Sequence, residues 1–407
     1  VRAAPAWLST ATSQQRRTLA AAALGWMLDS MDVMLYAMVL PAIALEMHLS
    51  PSAAGGLMSA TLLAAAAGGL FFGWFADRLG RTRALTASML LYSLSTFACG
   101  LTHTGSQLAI ARIVLGLGMG GEWAAGAALV AESWPAIHRN KALAFVQSFW
   151  AIGYALGAGL TALILPHYGW RAVFFAGVAP ALLTLWVQHS VHEPTLWQQN
   201  RAPAPSIRTI FQRPLRRDTL LIATMNAATL FAWWGLFTWV PRYLSMPIAA
   251  GGRGMGILQT STWTIVMQVG TFLGYISFGW VADRIGQKRA YIGYLLGAAL
   301  AVPVFAAVRS PAALLIAGPI AGFFGTGYFS GFGAISAALF PTQIRGTAMG
   351  FVYNIGRVAS AAAPYLIGLV SQRSGLAFAL SLTSAAFLLA ALLACFLPPA
   401  RDLQELH

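Results

Sequence analysis

Five formally charged residues lie deep inside long apolar runs of this chain: Asp29, Asp32, Arg112, Glu122 and Arg357. Hydrophobic residues make up 58% of the 407 residues and charged residues 9%. A soluble protein carries about a quarter charged residues. A charge at the centre of a bilayer costs roughly 2.5–3.5 kcal/mol on insertion scales, so each of the five needs a reason to be there. Asp29 and Asp32 are three residues apart and share a helix face. Two carboxylates so close in a low dielectric do not both ionise easily and titrate as a coupled pair. Glu122 and Arg112 add a third acid and one base. That chemistry is reversible protonation with a cation free to rearrange, and we expect Asp32 as main carrier, Asp29 as its partner and Glu122 as the link to Arg112. Arg357 has no acid in its own half of the chain. Its planar fork suits a carboxylate, bound through two parallel hydrogen bonds. Asn354, three residues earlier, can orient the same group.

The elements that must position these residues are apolar runs of 18 or more residues, which read as membrane-spanning helices. Twelve are expected, at roughly 19–46, 53–76, 84–102, 106–133, 141–165, 170–189, 219–246, 255–282, 290–308, 311–339, 347–370 and 376–397. Span 1 enters near Leu19, so Asp29 and Asp32 lie about 15–20 Å in, at the midplane. Arg112 and Glu122 fall within span 4, and Asn354 and Arg357 about 10–15 Å into span 11. The sequence GWFADRLGRTR at 73–83 returns as GWVADRIGQKR at 279–289, an offset of 206 residues. The same offset pairs Pro41 with Pro247, Pro135 with Pro341, Arg139 with Arg345, and Phe145-Val146 with Phe351-Val352. This is an internal duplication. It divides the chain into an N-terminal six-helix bundle at 1–189, a Pro- and Arg-rich linker at 190–218 and a C-terminal six-helix bundle at 219–407. At that offset Asp29, Asp32, Arg112 and Glu122 fall on Gly235, Thr238, Gly318 and Tyr328. The acids belong to one half only, which predicts proton chemistry in the N-terminal half and anion recognition in the C-terminal half.

The net charge of +14 does not point to nucleic acid, because the basic residues sit in the short connections between apolar runs. With the N-terminus inside, 18 Lys and Arg lie on the cytoplasmic side and five outside. That asymmetry places both termini in the cytoplasm. Cys99 and Cys395 each lie in an apolar run and read as packing residues.

Twelve spans in two halves, with GWFADRLGRTR after span 2, resemble the major facilitator superfamily of transporters. Span 1 reads LDSMDVMLY and span 4 with its exit reads RIVLGLGMGGEWAAGAALVAESWP. These stretches are similar to the sialate and aromatic-acid proton symporter groups, although Ser30-Met31 stands where a Gly-aromatic pair is usual. The resemblance implies an all-α polytopic fold whose halves rock around a central cavity with substrate near the midplane. It implies that Trp233, Trp234, Tyr328 and Tyr353 border that cavity with Arg357 and Asn354. It also implies a cytoplasmic gate of charges latching helices together: Asp77, Arg81, Arg83, Glu132 and Arg139, and in the second copy Asp283, Arg289 and Arg345. Gln287 replaces Arg81 and Ala338 replaces Glu132 in that copy, so its latch is expected to be weaker.

The expected function is therefore alternating-access symport of protons with an organic carboxylate: a sialic acid, an aromatic acid such as nicotinate or benzoate, or a small monocarboxylate. The partners are that anion, protons and the lipid bilayer, with no nucleic acid, no cofactor beyond the coupling proton and no metal. The setting is a bacterial inner membrane and the state a monomer. A drug or cation exporter using the three acids by proton antiport, or a sensor that binds without transporting, are the alternatives. No nucleophile–base pair, phosphate-binding loop or metal-spaced histidine cluster suggests an enzyme.

Overall fold

The computed structural model describes residues 8, 11–178, 180–193, 207–213, 215–340 and 345–398, and its regular elements are all helical. Spans 1 to 4 are single helices: Ser13–Glu46, Pro51–Leu79, Arg81–Gly100 and Gly105–Ser133. Their starts follow from sequence. Thr12 accepts from the backbone of Gln15 while the Gln15 side chain accepts from the backbone of Thr12, a reciprocal capping box. Ser50 caps span 2 with Pro51 at the first helical position. Spans 5 and 6 run on as Ala136–Ala176 through a break at Gly169, followed by Pro180–Ser190.

The C-terminal half is cut more often. Span 7 is Leu215–Phe237 and Val240–Ser245, and so starts inside the stretch read as linker. Spans 8 and 9 are the unbroken helices Ile257–Ile285 and Gln287–Ala307. Span 10 is Pro311–Gly327 and Phe329–Leu339; span 11 is Arg345–Ser360 and Ala362–Ser374; span 12 is Leu376–Ser381 and Thr383–Cys395. Among the described residues, eight stretches are long and apolar enough by themselves to cross a membrane. Span 11 is not one of them; it is divided into helices of 16 and 13 residues. Large apolar side chains such as Leu70, Leu163, Trp280 and Leu300 are exposed on the outside, where lipid rather than water is the solvent.

The duplication is visible in the backbone. Gly80 (φ 118°) ends span 2 and Gly286 (φ 91°) ends span 8; Gly169 (φ 74°) and Gly375 (φ 80°) break the chain before spans 6 and 12. Both pairs are 206 residues apart, and each position needs a residue without Cβ. Helix crossings repeat too. Gly68 lies against the Leu117 carbonyl and Gly116 against the Thr61 carbonyl, while Gly274 lies against the Phe323 carbonyl and Gly322 against the Met267 carbonyl. Small residues let these backbones meet where burial from water supplies no force. The halves touch where span 2 packs on span 11 and span 5 on span 8. Gly55 sits on the Pro364 carbonyl and Gly368 on the Pro51 carbonyl. Towards the outer side, Val240–Ser245 packs on span 1.

Candidate functional site

The five deep charges are all buried: Arg112 is 0% exposed, Asp29 and Asp32 1%, Glu122 2% and Arg357 3%. They divide into two groups, and not as the sequence suggested. Asp32 accepts a short hydrogen bond, 2.6 Å, from Thr96 Oγ1 of span 3. Arg112 Nη1 stands 3.9 Å from Asp32 Oδ2, an ion pair too long to be a hydrogen bond. The guanidinium is otherwise held by Thr61 Oγ1 at 3.2 Å, by Met58 Sδ at 3.6 Å, and by the face of Tyr36 at 4.2 Å. Arg112 therefore pairs with Asp32 and not with Glu122. Helical spacing explains the difference: ten residues along span 4 put the two about 15 Å apart.

Glu122 instead lies over span 1 beside Gly25, where a Cβ would strike its Oε1. Gly25 is one turn from Asp29, and Asp29 is the charge that acts on Glu122. Both Glu122 carboxyl oxygens and Asp29 Oδ2 lack a hydrogen-bond partner among the described residues. Arg357, from the other half, is one of three basic or acidic side chains whose charge reaches Asp29, with Asp32 and Arg112, but no ion pair joins Asp29 and Arg357 among the described residues. Arg357 also lies 5.2 Å from the centre of the Tyr353 ring. The reading from sequence, that Arg357 has no deep acid in its own half, agrees with this placement, since Asp29 belongs to the other half.

Thr96 was not visible as a site residue in the sequence. It has a single hydroxyl proton and two acceptors in reach, Asp32 Oδ1 at 2.6 Å and the Tyr92 carbonyl at 3.0 Å. One proton cannot fully serve both.

The aromatic residues join the halves. Trp26 of span 1 and Trp150 of span 5 have ring centres 4.6 Å apart, and Trp150 meets Trp233 of span 7 at 5.6 Å. Trp233 continues to Trp234 at 4.8 Å and stacks on Phe237 at 5.0 Å. Two expected substrate residues are placed elsewhere. Tyr328 is fully buried, gives its hydroxyl to the Thr229 carbonyl at 3.2 Å, and packs between Tyr291 of span 9 and Phe387 of span 12. Asn354 gives its amide to Gly350 of its own helix and sets its Oδ1 against Gly69 of span 2. It belongs to the seam between the halves. A helix end near Tyr328 and the missing Cβ of Gly69 decide these positions, and neither can be read from residue spacing.

At the end of the bundle expected to face the cytoplasm, Arg81 holds Glu132 through Nε and Nη2, at 3.1 and 2.9 Å. This pair ties span 3 to span 4 inside one half, rather than one half to the other. The side chains of Asp77, Arg139 and Arg345 lie outside the described residues. Arg83, Asp283 and Arg289 are exposed. A further acid joins the first copy: Glu193 accepts from the backbone nitrogens of Arg81 at 2.7 Å, Thr82 at 3.1 Å and Arg83 at 3.3 Å. It caps span 3 from the far end of span 6. The second copy reverses the polarity, with Lys288 donating to the carbonyls of Cys395 and Leu397 at the end of span 12.

Comparison with known proteins agrees with this architecture. The chain is 33% identical over 384 residues to a probable 4-methylmuconolactone transporter of Cupriavidus pinatubonensis, covering 92% of this chain and 88% of that protein. It is 32% identical over 395 residues to the cis,cis-muconate transport protein of Acinetobacter baylyi, covering 94% and 92%. Among solved structures, a D-xylose-proton symporter matches with a TM-score of 0.77 at 20% identity, over 95% of this chain and 98% of that one; this likeness speaks to the fold. A sequence model of the Major Facilitator Superfamily matches residues 22–251 and again 244–406. With its repeated six-span halves and these full-length relatives, the chain belongs to the Major Facilitator Superfamily and is a membrane transporter, not an enzyme.

Proposed function

We propose that this transporter couples protons to the movement of an organic carboxylate by alternating access. It works as a monomer in a bacterial inner membrane, with both termini in the cytoplasm. The observation that carries the reading is the burial of Arg357 with no ion-pair partner among the described residues. An acid within reach of its charge, Asp29, belongs to the opposite half and is buried too. A substrate carboxylate and an ionised Asp29 then compete for one guanidinium. When Asp29 takes a proton, Arg357 is released to an incoming anion. Proton and substrate thus bind together, which is what symport requires. The names of two relatives, a cis,cis-muconate transport protein and a probable 4-methylmuconolactone transporter, support an organic acid within the expected range. Trp233, Trp234 and Tyr353 remain candidate walls of that site. A cation exporter would place Arg357 against its own substrate, so the anion reading is preferred.

The test is Arg357→Ala and Arg357→Lys, with carboxylate binding measured by calorimetry in detergent. Truncating one partner of a buried, hydrogen-bonded charge pair weakens binding by about 2–5 kcal/mol. Alanine should abolish measurable binding, and lysine should not restore it, because an ammonium lacks the planar fork. Unchanged affinity in both variants sinks the reading.

A further inference from the structure

Two indole N–H groups in the interface between the halves have no acceptor among the described residues. Trp150 is 5% exposed and Trp233 is 4% exposed, and the Nε1 atom of each is buried without a hydrogen-bond partner there. Tryptophan N–H groups that are buried ordinarily find an acceptor, and leaving one unmade carries the cost of desolvation. Here two are orphaned side by side, on rings 5.6 Å apart, one from each half. They lie level with the deep charges. The Trp150 carbonyl accepts from Ser30, the residue after Asp29, at 2.5 Å, and Trp26 of the same helix touches the Trp150 ring. Packing alone does not call for these donors, because an aromatic ring without an N–H packs in an apolar wall without stranding one.

We infer that Trp150 and Trp233 are specificity-determining residues whose indole N–H groups take a second acceptor on the substrate, apart from the carboxylate held by Arg357. This rests on the carboxylate reading above and narrows it. The substrate class is a planar unsaturated or aromatic carboxylate bearing an acceptor elsewhere on its skeleton: a ring nitrogen, a lactone or hydroxyl oxygen, or a second carboxylate. Planarity follows from the wall itself, since the indole rings offer flat apolar faces and their polar edges at one level. A site with buried donors discriminates strongly against a ligand that lacks the matching acceptor, because the donors then stay unpaired. A ligand that satisfies both indoles also bridges the halves, since one donor belongs to each.

The test uses two ligands of equal shape and charge. Benzoate and nicotinate differ only by a ring CH replaced with an acceptor nitrogen. Affinities are measured by calorimetry on the purified full chain and on Trp150→Phe and Trp233→Phe. The wild type should bind nicotinate about tenfold more tightly than benzoate, the worth of one additional hydrogen bond. At least one variant should lose that advantage, so that its nicotinate affinity falls about tenfold more than its benzoate affinity. Retained benzoate binding reports an intact fold. Equal affinity of the wild type for the two ligands overturns the inference without any variant. So does a variant series in which both ligands weaken together, which marks the indoles as packing, or one in which neither weakens. If the wild type binds neither benzoate nor nicotinate, this inference is overturned, while the carboxylate reading is decided separately by the Arg357 variants.

Discussion

Thr96 shows how a neutral side chain enters proton chemistry. A threonine in a helix commonly donates to the carbonyl four residues back, and Tyr92 is that residue. Asp32 lies closer to the same hydroxyl. If Thr96 donates to Tyr92, the short contact with Asp32 persists only when Asp32 carries the proton and donates it. If Asp32 is ionised, the Thr96 proton turns to it and leaves Tyr92. The hydroxyl therefore reports the protonation state of Asp32 to span 3, while Arg112 answers the same event from span 4. Thr96→Val keeps the shape and removes the switch. The pH profile of substrate uptake should shift in Thr96→Val and hold its place in Thr96→Ser, with substrate affinity kept in both, because only the valine removes the hydrogen bond to Asp32. A valine variant with the wild-type profile would show Thr96 to be a packing residue. Nothing in the sequence set Thr96 apart from Thr82, Thr86 or Ser88 in the same helix; only the crossing of spans 1 and 3 does so.

At the scale of elements, the two copies of one motif are finished differently. Span 3 and span 9 both begin after a glycine of positive φ, at Gly80 and Gly286. Three amide groups at the start of span 3 point into one carboxylate, Glu193. A carboxylate there satisfies orphan donors and faces the positive end of the helix dipole. Position 399, its counterpart by the 206-residue offset, is Pro399, and span 9 instead uses Lys288 to cap span 12. Glu193→Ala should cost about 1–2 kcal/mol of stability, and Glu193→Gln less because an acceptor remains. Thermal unfolding in detergent reads both; an unmoved midpoint in the alanine variant refutes the cap. The repeat that frames this comparison was plain in the sequence, as were the spans and the depth of the five charges, because hydropathy and motif identity follow directly from composition. Partners across helices were not. Arg112 pairing with Asp32, Asn354 resting on Gly69 and Glu193 reaching back to span 3 depend on which helices cross and at what height. A pattern of spacing along one helix does not encode that. Tyr328 failed for a related reason: span 10 ends one helix at Gly327 and starts another at Phe329, which redirects the ring toward spans 9 and 12.

At the scale of the whole molecule, the asymmetry of charge between two structurally repeated halves becomes a statement about coupling. The acids Asp29, Asp32 and Glu122 belong to the first half and Arg357 to the second, and the charges of Asp29 and Arg357 reach each other across the interface without forming an ion pair. In the proposed cycle that attraction resists separation of the halves, so rocking has to neutralise one member or replace it. A proton on Asp29 or a carboxylate on Arg357 does this, and the two together leave every charge answered. An uncompensated buried charge is the state to avoid. Asp29→Asn removes the competitor permanently. Arg357 is then always available to substrate, and the loaded transporter can rock, but no proton need leave when substrate does. This variant should lose accumulation driven by a pH gradient and keep counterflow with preloaded substrate in liposomes. Asp32→Asn should behave likewise, because Arg112 and Thr96 then have no change of charge to answer. Glu122→Gln, whose neighbour is Asp29 rather than a base, should alter the pH range of uptake more than the existence of coupling. If all three variants still concentrate substrate against a gradient, the proton site lies elsewhere or the protein is a uniporter. If all three lose counterflow as well, these acids hold the fold or the substrate, and the division of labour between the halves is wrong.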